Sequence, residues 1–112
     1  MPAETRGAFR VYPSRENPVY LKVNNTNLTA VDISAGGISF ENKSFKKNVS
    51  YDMQITLPAT DNEINAKVEI LKIDEGNICR AKMVDLSPQD EDDIHHYILT
   101  RQKEELIEKK YK

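Results

Sequence analysis

Residues 19–33 read Val-Tyr-Leu-Lys-Val-Asn-Asn-Thr-Asn-Leu-Thr-Ala-Val-Asp-Ile, and this stretch decides the fold. In its first part Val19, Leu21 and Val23 alternate with Tyr20 and Lys22, as a half-buried β-strand requires. The asparagine-rich middle is a turn signal, and the last part is again rich in apolar and β-branched residues. The stretch therefore predicts two strands joined as a hairpin.

The same pattern recurs along most of the chain. Short runs rich in β-branched and aromatic residues are separated by turn signals such as Gly36-Gly37 and Glu75-Gly76-Asn77. The predicted strands are Phe9–Tyr12, Val19–Val23, Leu28–Ile33, Ile38–Glu41, Tyr51–Leu57, Ile64–Ile73 and Ile78–Leu86. Strands at this spacing, with no helix among them, predict an all-β fold, a small antiparallel barrel of six to seven strands. Closure of the barrel removes the exposed edges that an open sheet would present.

The end of the chain changes character and predicts an α-helix over residues 88–110. Ser87 before Pro88 is typical of an N-cap followed by the first helical position. Acidic residues occupy the first turn and lysines the last, which suits the helix dipole. We therefore expect a single domain, 1–112, made of a flexible N-terminal arm (1–10), the barrel (9–86) and this C-terminal helix.

Apolar residues of the predicted helix fall on two faces. Ile94, Tyr97 and Ile98 follow the i, i+3, i+4 spacing and are expected to pack on the barrel. Leu99 and Leu106 lie on a different face, because successive helical residues turn by about 100°. Two interpretations of that second face stay open. It lies in solvent, or it binds a protein partner or a second copy of the chain, which would give a homodimer through the helix.

Composition places the chain among ordered globular proteins. Its 112 residues are 38% hydrophobic and 30% charged, which is enough for a core in one domain. The net charge is −2, but residues 1–47 hold seven Lys/Arg and four Asp/Glu, whereas residues 48–112 hold nine and fourteen. This balance argues against DNA or RNA binding by a basic surface and suits a small anionic ligand near the N-terminal half.

Three features bear on the cellular compartment. No apolar run reaches the roughly 20 residues that a membrane span needs, and the N-terminus carries no recognisable secretory signal. Cys79 is the only cysteine, which excludes an internal disulfide, and we expect it to be a buried, unreactive thiol. A cytoplasmic location is therefore expected.

Two arginines and one turn carry most of the chemistry. Arg6 and Arg10 would lie on the same side of an extended segment, where their planar guanidinium groups can bind a phosphate or the edge of guanine. Asp32 can accept hydrogen bonds from the N1–H and N2–H₂ edge of guanine, with the Ser34 hydroxyl beside it. Gly36-Gly37 permits a positive φ and lets a flat ligand approach the backbone closely.

These residues resemble two motifs of the PilZ domain family. Arg6-Gly-Ala-Phe-Arg10 matches its R-x-x-x-R element, and Asp32-Ile-Ser-Ala-Gly-Gly37 matches its D/N-x-S-x-x-G element. Gly37-Ile-Ser-Phe40 and the run from Ala81 to Pro88, which leads into the helix, are similar as well. The resemblance covers nearly the whole chain. It implies a six-stranded barrel that binds the bacterial second messenger cyclic di-GMP.

The resemblance also implies a role for each motif. Arg6 and Arg10 would contact the phosphates and one guanine while the arm wraps over the ligand, and Asp32, Ser34 and Gly37 would line the other guanine. Gly36 is a further candidate ligand-binding residue beside them. Ordering of the arm would then alter a surface for an unidentified protein effector, in motility, biofilm, exopolysaccharide or secretion control. Many members carry a further arginine where this chain has Thr5. A PilZ-like interaction adaptor that does not bind the nucleotide is therefore the alternative.

We expect neither an enzyme nor a metal site. His95 and His96 are adjacent on the predicted helix and point about 100° apart, which disfavours a shared metal ion. No serine or cysteine has a plausible base partner in the sequence, and no glycine-rich phosphate loop precedes a helix. We accordingly expect no catalytic residue and no cofactor besides the nucleotide ligand. For Arg80, in the strand before the helix, a surface role is favoured over a contact with the ligand or with its neighbours.

Overall fold

The computed structural model describes residues 10–58 and 63–110, which form a β-barrel followed by one α-helix. The elements are β1 (Tyr20–Val23), β2 (Thr26–Ile33), β3 (Gly37–Glu41), β4 (Ser50–Thr56), β5 (Glu63–Ile73), β6 (Ile78–Val84) and α1 (Pro88–Lys110). The strand order is β1-β2-β3-β6-β5-β4, and β4 pairs with β1 to close an antiparallel barrel. The predicted all-β barrel with a C-terminal helix is confirmed.

The barrel interior is filled by apolar side chains, which alternate along the strands with outward-facing residues. The largest fully buried side chains are Phe40, Ile33, Ile55, Ile64, Ile70, Ile94, Val11, Val19, Val23, Val68 and Cys79. Removing this apolar surface from water is the main favourable term in folding. Burial raises the pKa of the Cys79 thiol, and the charge of Asp74 adds to the effect. The prediction that this thiol is buried is confirmed, and a raised pKa disfavours the reactive thiolate form.

The hairpin predicted at residues 19–33 is present as β1 and β2. Its turn consists of Asn24 and Asn25, whose φ angles are 49° and 67°. Asparagine tolerates this left-handed region better than most residues, and such two-residue turns match the twist of the flanking strands. The other predicted strands are present with ends that differ by a few residues.

The predicted strand Phe9–Tyr12 is wrong in the part of the chain that the structure describes. Phe9 lies outside the described residues, and residues 10–12 form only an isolated bridge, in which Val11 exchanges two backbone hydrogen bonds of 3.0 Å with Ile33. The bridge ends there because the backbone of Tyr12 bonds to α1 instead of to the sheet. The barrel therefore has six strands, not seven.

Helix α1 begins at Pro88, as predicted. The Ser87 hydroxyl accepts a hydrogen bond from the Asp90 N–H at 3.1 Å, which satisfies one of the unpaired donors of the first turn. The predicted inner face, which includes Ile94 and Ile98, is buried against the barrel. Among residues 10–58 and 63–110, no helix is long and apolar enough to cross a membrane.

Candidate functional site

A β-bulge in β2 sets the direction of Asp32. Ala30 faces the barrel interior, so strict alternation would point Asp32 inward as well. The register with β3 shifts between Ala30 and Asp32, which makes Val31 an extra, partly exposed residue. Asp32 consequently pairs with Ser39, and Ile33 takes the buried position. The bulge thus lets a carboxylate leave the core without losing an apolar residue from it.

A second bulge lies in β5. Its register with β6 shifts between Ile70 and Lys72, so Leu71 is the extra residue and is about half exposed. Ile70 stays in the core, whereas Lys72 pairs with Arg80 on the outer face. Directly paired residues of antiparallel strands share a face. The pairings therefore place one row across four strands: Asp32, Ser39, Arg80 and Lys72.

This row borders a groove of about 210 Å³ on the outer surface of the barrel. The groove is lined by Arg10, Asp32, Ser34, Gly36, Gly37, Ile38, Ser39, Leu71, Arg80, Ala81 and Lys82. Three of these residues are cationic and one is acidic. The lining therefore favours an anionic ligand, although the chain as a whole is slightly acidic.

Asp32 lies between two guanidinium groups. Its Oδ2 atom is 4.0 Å from Nη1 of Arg10 and 3.9 Å from Nη1 of Arg80. Both distances exceed that of a hydrogen bond, so the contacts are electrostatic. The Asp32 side chain is only 8% exposed, whereas that of Arg10 is 49% exposed. A fixed carboxylate thus sits beneath a cation that can still reorient towards a ligand.

Asp74, at the start of the turn between β5 and β6, holds the Arg80 side chain. Nη2 of Arg80 is 3.3 Å from Oδ2 of Asp74, and its Nη1 donates to the Ser39 hydroxyl at 3.4 Å. Oδ1 of Asp74 accepts from the N–H groups of Gly76 and Ile78 at 3.0 and 3.1 Å. The hydrogen bond from Ile78 is the main reason why the pKa of Asp74 is lowered; burial opposes it, and Gly76 and Arg80 add to it. Asp74 therefore stays ionised and fixes the Arg80 guanidinium at the groove.

The turn between β2 and β3 forms one end of the groove. The Ser34 N–H donates to the Gly37 carbonyl at 2.9 Å, and the Met83 N–H donates to the Gly36 carbonyl at 3.0 Å. The glycines would permit a positive φ, but neither Gly36 nor Gly37 has one. The reason for glycine at 37 is space: a Cβ there would lie 3.3 Å from Oγ of Ser34 and 3.4 Å from the Ala81 carbonyl oxygen. A Cβ at Gly36 would meet nothing within 4 Å.

The structure brings most of the predicted site residues together. Arg10, Asp32, Ser34 and Gly36-Gly37 all line the groove, and Arg6 lies outside the described residues. Arg80 also lines the groove, although the sequence favoured a surface role for it over a contact near the ligand. The break in alternation at Asp32 was a usable signal for the first bulge, but no local signal identified the partner strand of β3.

Within residues 10–58 and 63–110, no group of three or more His, Cys, Asp or Glu side chains could hold a metal ion.

Comparison with known proteins identifies the family. The model of the PilZ domain family matches residues 4–100, which is most of the chain. The chain therefore belongs to the PilZ domain family, whose members are regulatory ligand-binding domains, not enzymes. A search among curated proteins finds no match.

Solved structures share the fold at low sequence identity. The PilZ domain of YcgR from Escherichia coli, solved with c-di-GMP, is 15% identical with a TM-score of 0.67 and covers 96% of this chain and 98% of its own. The Bacillus subtilis inhibitor of motility (MotI/DgrA) is 19% identical with a TM-score of 0.72, covering 90% of this chain and 52% of its own. A YcgR complex with c-di-GMP from E. coli is 13% identical with a TM-score of 0.75 and covers 96% and 50%. The chain thus spans about half the length of the last two.

Proposed function

We propose that this chain binds cyclic di-GMP at the groove of Arg10, Asp32 and Arg80 and that binding orders the N-terminal arm. The observation that carries the proposal is the position of Asp32, a nearly buried carboxylate 3.9–4.0 Å from two guanidinium groups in a cationic groove. Cyclic di-GMP offers the matching chemistry, because its phosphates suit arginine and its guanine edge presents donors to a carboxylate.

The groove accommodates one part of such a ligand. Its volume of about 210 Å³ lies below the roughly 300–1,000 Å³ typical of sites that bury a whole small molecule. One guanine is expected against Asp32 and Ser34, where the open face of Gly36 lets the base approach the backbone. The second guanine and the phosphates then remain for Arg10 and for Arg6 of the arm. Because the groove would enclose only part of the ligand, the arm can gain further contacts with the ligand by folding over it.

Arm ordering turns ligand concentration into a changed protein surface. The ligand must bind the ordered arm better than the loose one for this to occur. We propose that a protein effector binds the changed surface. Motility control is one setting, because a structural neighbour is an inhibitor of motility. A homodimer through α1 is a second candidate output, because Leu99 and Leu106 are 46% and 68% exposed.

Isothermal titration calorimetry with cyclic di-GMP tests the proposal. The wild type should bind with micromolar or tighter affinity. Arg10→Ala and Asp32→Ala should each weaken binding about 10- to 100-fold, since a charge-assisted hydrogen bond contributes about 1.5–3 kcal/mol. The matched control is Arg15→Ala, because Arg15 is exposed and does not line the groove.

Two results would contradict the proposal. Absence of binding by the folded wild type would favour the nucleotide-independent adaptor, to which Thr5 in place of a further arginine points. Equal losses in Arg10→Ala and Arg15→Ala would show that general charge, not this groove, attracts the nucleotide.

A further inference from the structure

Helix α1 holds the segment that carries Arg10. The Tyr12 N–H donates to Oε2 of Glu105 at 2.9 Å, and the Tyr12 carbonyl accepts a hydrogen bond from Nε of Arg101. Both backbone groups of Tyr12 are therefore bonded to side chains of α1, which lies far away in sequence. Arg10, which faces Asp32 in the groove, is only two residues earlier.

The other side of this segment is tied to the barrel. Val11 is fully buried and exchanges two backbone hydrogen bonds of 3.0 Å with Ile33, the residue after Asp32. The chain at residues 11–12 is thus bonded to β2 on one side and to α1 on the other. Because the backbone is held at these two residues, the point from which Arg10 extends is set, while its half-exposed side chain can still reorient.

Arg101 is a buried cation that is paired with two carboxylates and one backbone carbonyl. Its side chain is 7% exposed, and Nη1 donates to Glu104 at 3.2 Å and to Glu108 at 3.0 Å. Burial acts to lower the pKa of Arg101, but hydrogen bonds from its guanidinium to Glu108 and Glu104 outweigh this and raise it. A buried charge is costly unless it is paired, so these contacts keep Arg101 in place beneath Tyr12.

We propose that Arg101 is a positioning residue for the ligand groove, although it does not line it. By holding Tyr12, Arg101 keeps Arg10 over Asp32 and so lowers the ordering cost of ligand binding. Coupling between two sites is reciprocal, so the bound nucleotide in turn tightens the docking of α1 on the barrel. This inference rests on the proposed binding of cyclic di-GMP.

Calorimetry on α1 variants gives the first test. Arg101→Ala should raise the Kd for cyclic di-GMP about fivefold to tenfold, within the usual range of coupling between sites. The variant should fold, because Glu104 and Glu108 are about half exposed and remain solvated without their partner. Glu105→Ala removes the acceptor for the Tyr12 N–H without emptying a buried position, and should raise the Kd in the same direction but less. Lys103→Ala, on the exposed side of the same helix, is the matched control and should change the Kd by less than about twofold.

A double-mutant cycle separates positioning from a general effect on stability. If Arg101 acts through Arg10, then Arg101→Ala should add little to the loss that Arg10→Ala already causes. A merely structural role would give losses that add. Hydrogen exchange supplies the reciprocal measurement: cyclic di-GMP should slow amide exchange over residues 101–108 in the wild type and not in Arg101→Ala.

The outcomes distinguish the two proposals. If the wild type binds but Arg101→Ala leaves the Kd unchanged, or the losses of Arg10→Ala and Arg101→Ala add, the positioning role is overturned while the proposed function stands. If the folded wild type does not bind cyclic di-GMP at all, the proposed function is overturned and this inference with it.

Discussion

Two of the grooves on the surface of the described residues differ in size and chemistry. The larger, about 360 Å³, is lined by Lys22, Asn24, Asn25, Asp52, Met53, Gln54, Asn65 and Ala66. The smaller, about 210 Å³, contains Arg10, Asp32 and Arg80. Side-chain amides dominate the first, whereas the second carries three cations around one carboxylate. Size alone would therefore select the wrong groove for an anionic ligand.

The two grooves also differ in the regularity of the strands beneath them. The pairings of β4 with β1 and with β5 run without a register shift at the larger groove. At the smaller groove both β2 and β5 have a bulge, at Val31 and at Leu71. Bulges re-aim side chains and are over-represented next to functional sites. The comparison teaches that charge and broken alternation, not volume, mark the candidate site.

The largest expected effect is that of Arg80→Ala on ligand affinity. Loss of this guanidinium removes a donor from the groove and one of the two cations beside Asp32. We expect the Kd for cyclic di-GMP to rise about 10- to 100-fold, as for loss of a charge-assisted hydrogen bond. Arg80→Lys should recover only part of the affinity, because lysine lacks the planar fork. An unchanged Kd in titration calorimetry would mean that Arg80, on the β6 side of the groove, takes no part in binding.

A second prediction contrasts the two glycines of the turn. Neither has a positive φ, so alanine is allowed by the backbone at both. Gly37→Ala should lower the free energy of unfolding by about 1 kcal/mol, because its Cβ would crowd Ser34 and Ala81. Gly36→Ala should leave stability nearly unchanged and weaken nucleotide binding, because its Cβ would point into open space at the groove. Denaturant unfolding and calorimetry together check the pair, and equal effects of both variants on stability would contradict this account.

A third, smaller effect concerns Asp74, the support of Arg80. The pKa of Asp74 is lowered in the folded protein, mainly by the hydrogen bond from the Ile78 N–H. Its ionised form therefore stabilises the fold above the ordinary value of 3.8, and this contribution is lost as the pH falls through the lower folded pKa. Asp74→Asn should be less stable than the wild type at neutral pH, and the difference should shrink well below pH 3.8. Denaturant titrations at neutral and acid pH measure it; a difference that is constant with pH would show that the charge of Asp74 has no role.

The smallest expected effect is at the larger groove. Lys22→Ala removes the basic residue that lines it and should leave the Kd for cyclic di-GMP within about twofold of the wild type. Titration calorimetry alongside Arg80→Ala makes this a direct comparison of the two grooves. A loss at Lys22 as large as that at Arg80 would reverse the assignment of the site.

Much of the fold followed from local pattern. The alternation of Val19, Leu21 and Val23 predicted β1, and the order Ser87-Pro88 predicted the start of α1, because alternation and capping are determined by neighbouring residues. The strand expected at Phe9–Tyr12 failed for the opposite reason. Whether its backbone joins the sheet depends on competition from α1, and the competing groups, Arg101 and Glu105, lie about 90 residues away in sequence.

For the candidate site, too, some features followed from local sequence and others depended on residues that are distant in sequence. Spacing and residue type were enough to predict the two motifs, the strands that became β1 to β6 and the helix, together with one strand at Phe9–Tyr12 that does not form in the described part of the chain. The meeting of Arg80 and Ser39, 41 residues apart, with Asp32 in one groove depends on the three-dimensional fold, because closure of the barrel sets β3 beside β6. The tertiary structure likewise decided that Asp32 faces outward, since the bulge at Val31 exists only in the register that β2 adopts with β3. Alternation along one strand determines which of its residues share a face. The pairing between strands determines which residues of neighbouring strands lie side by side on that face.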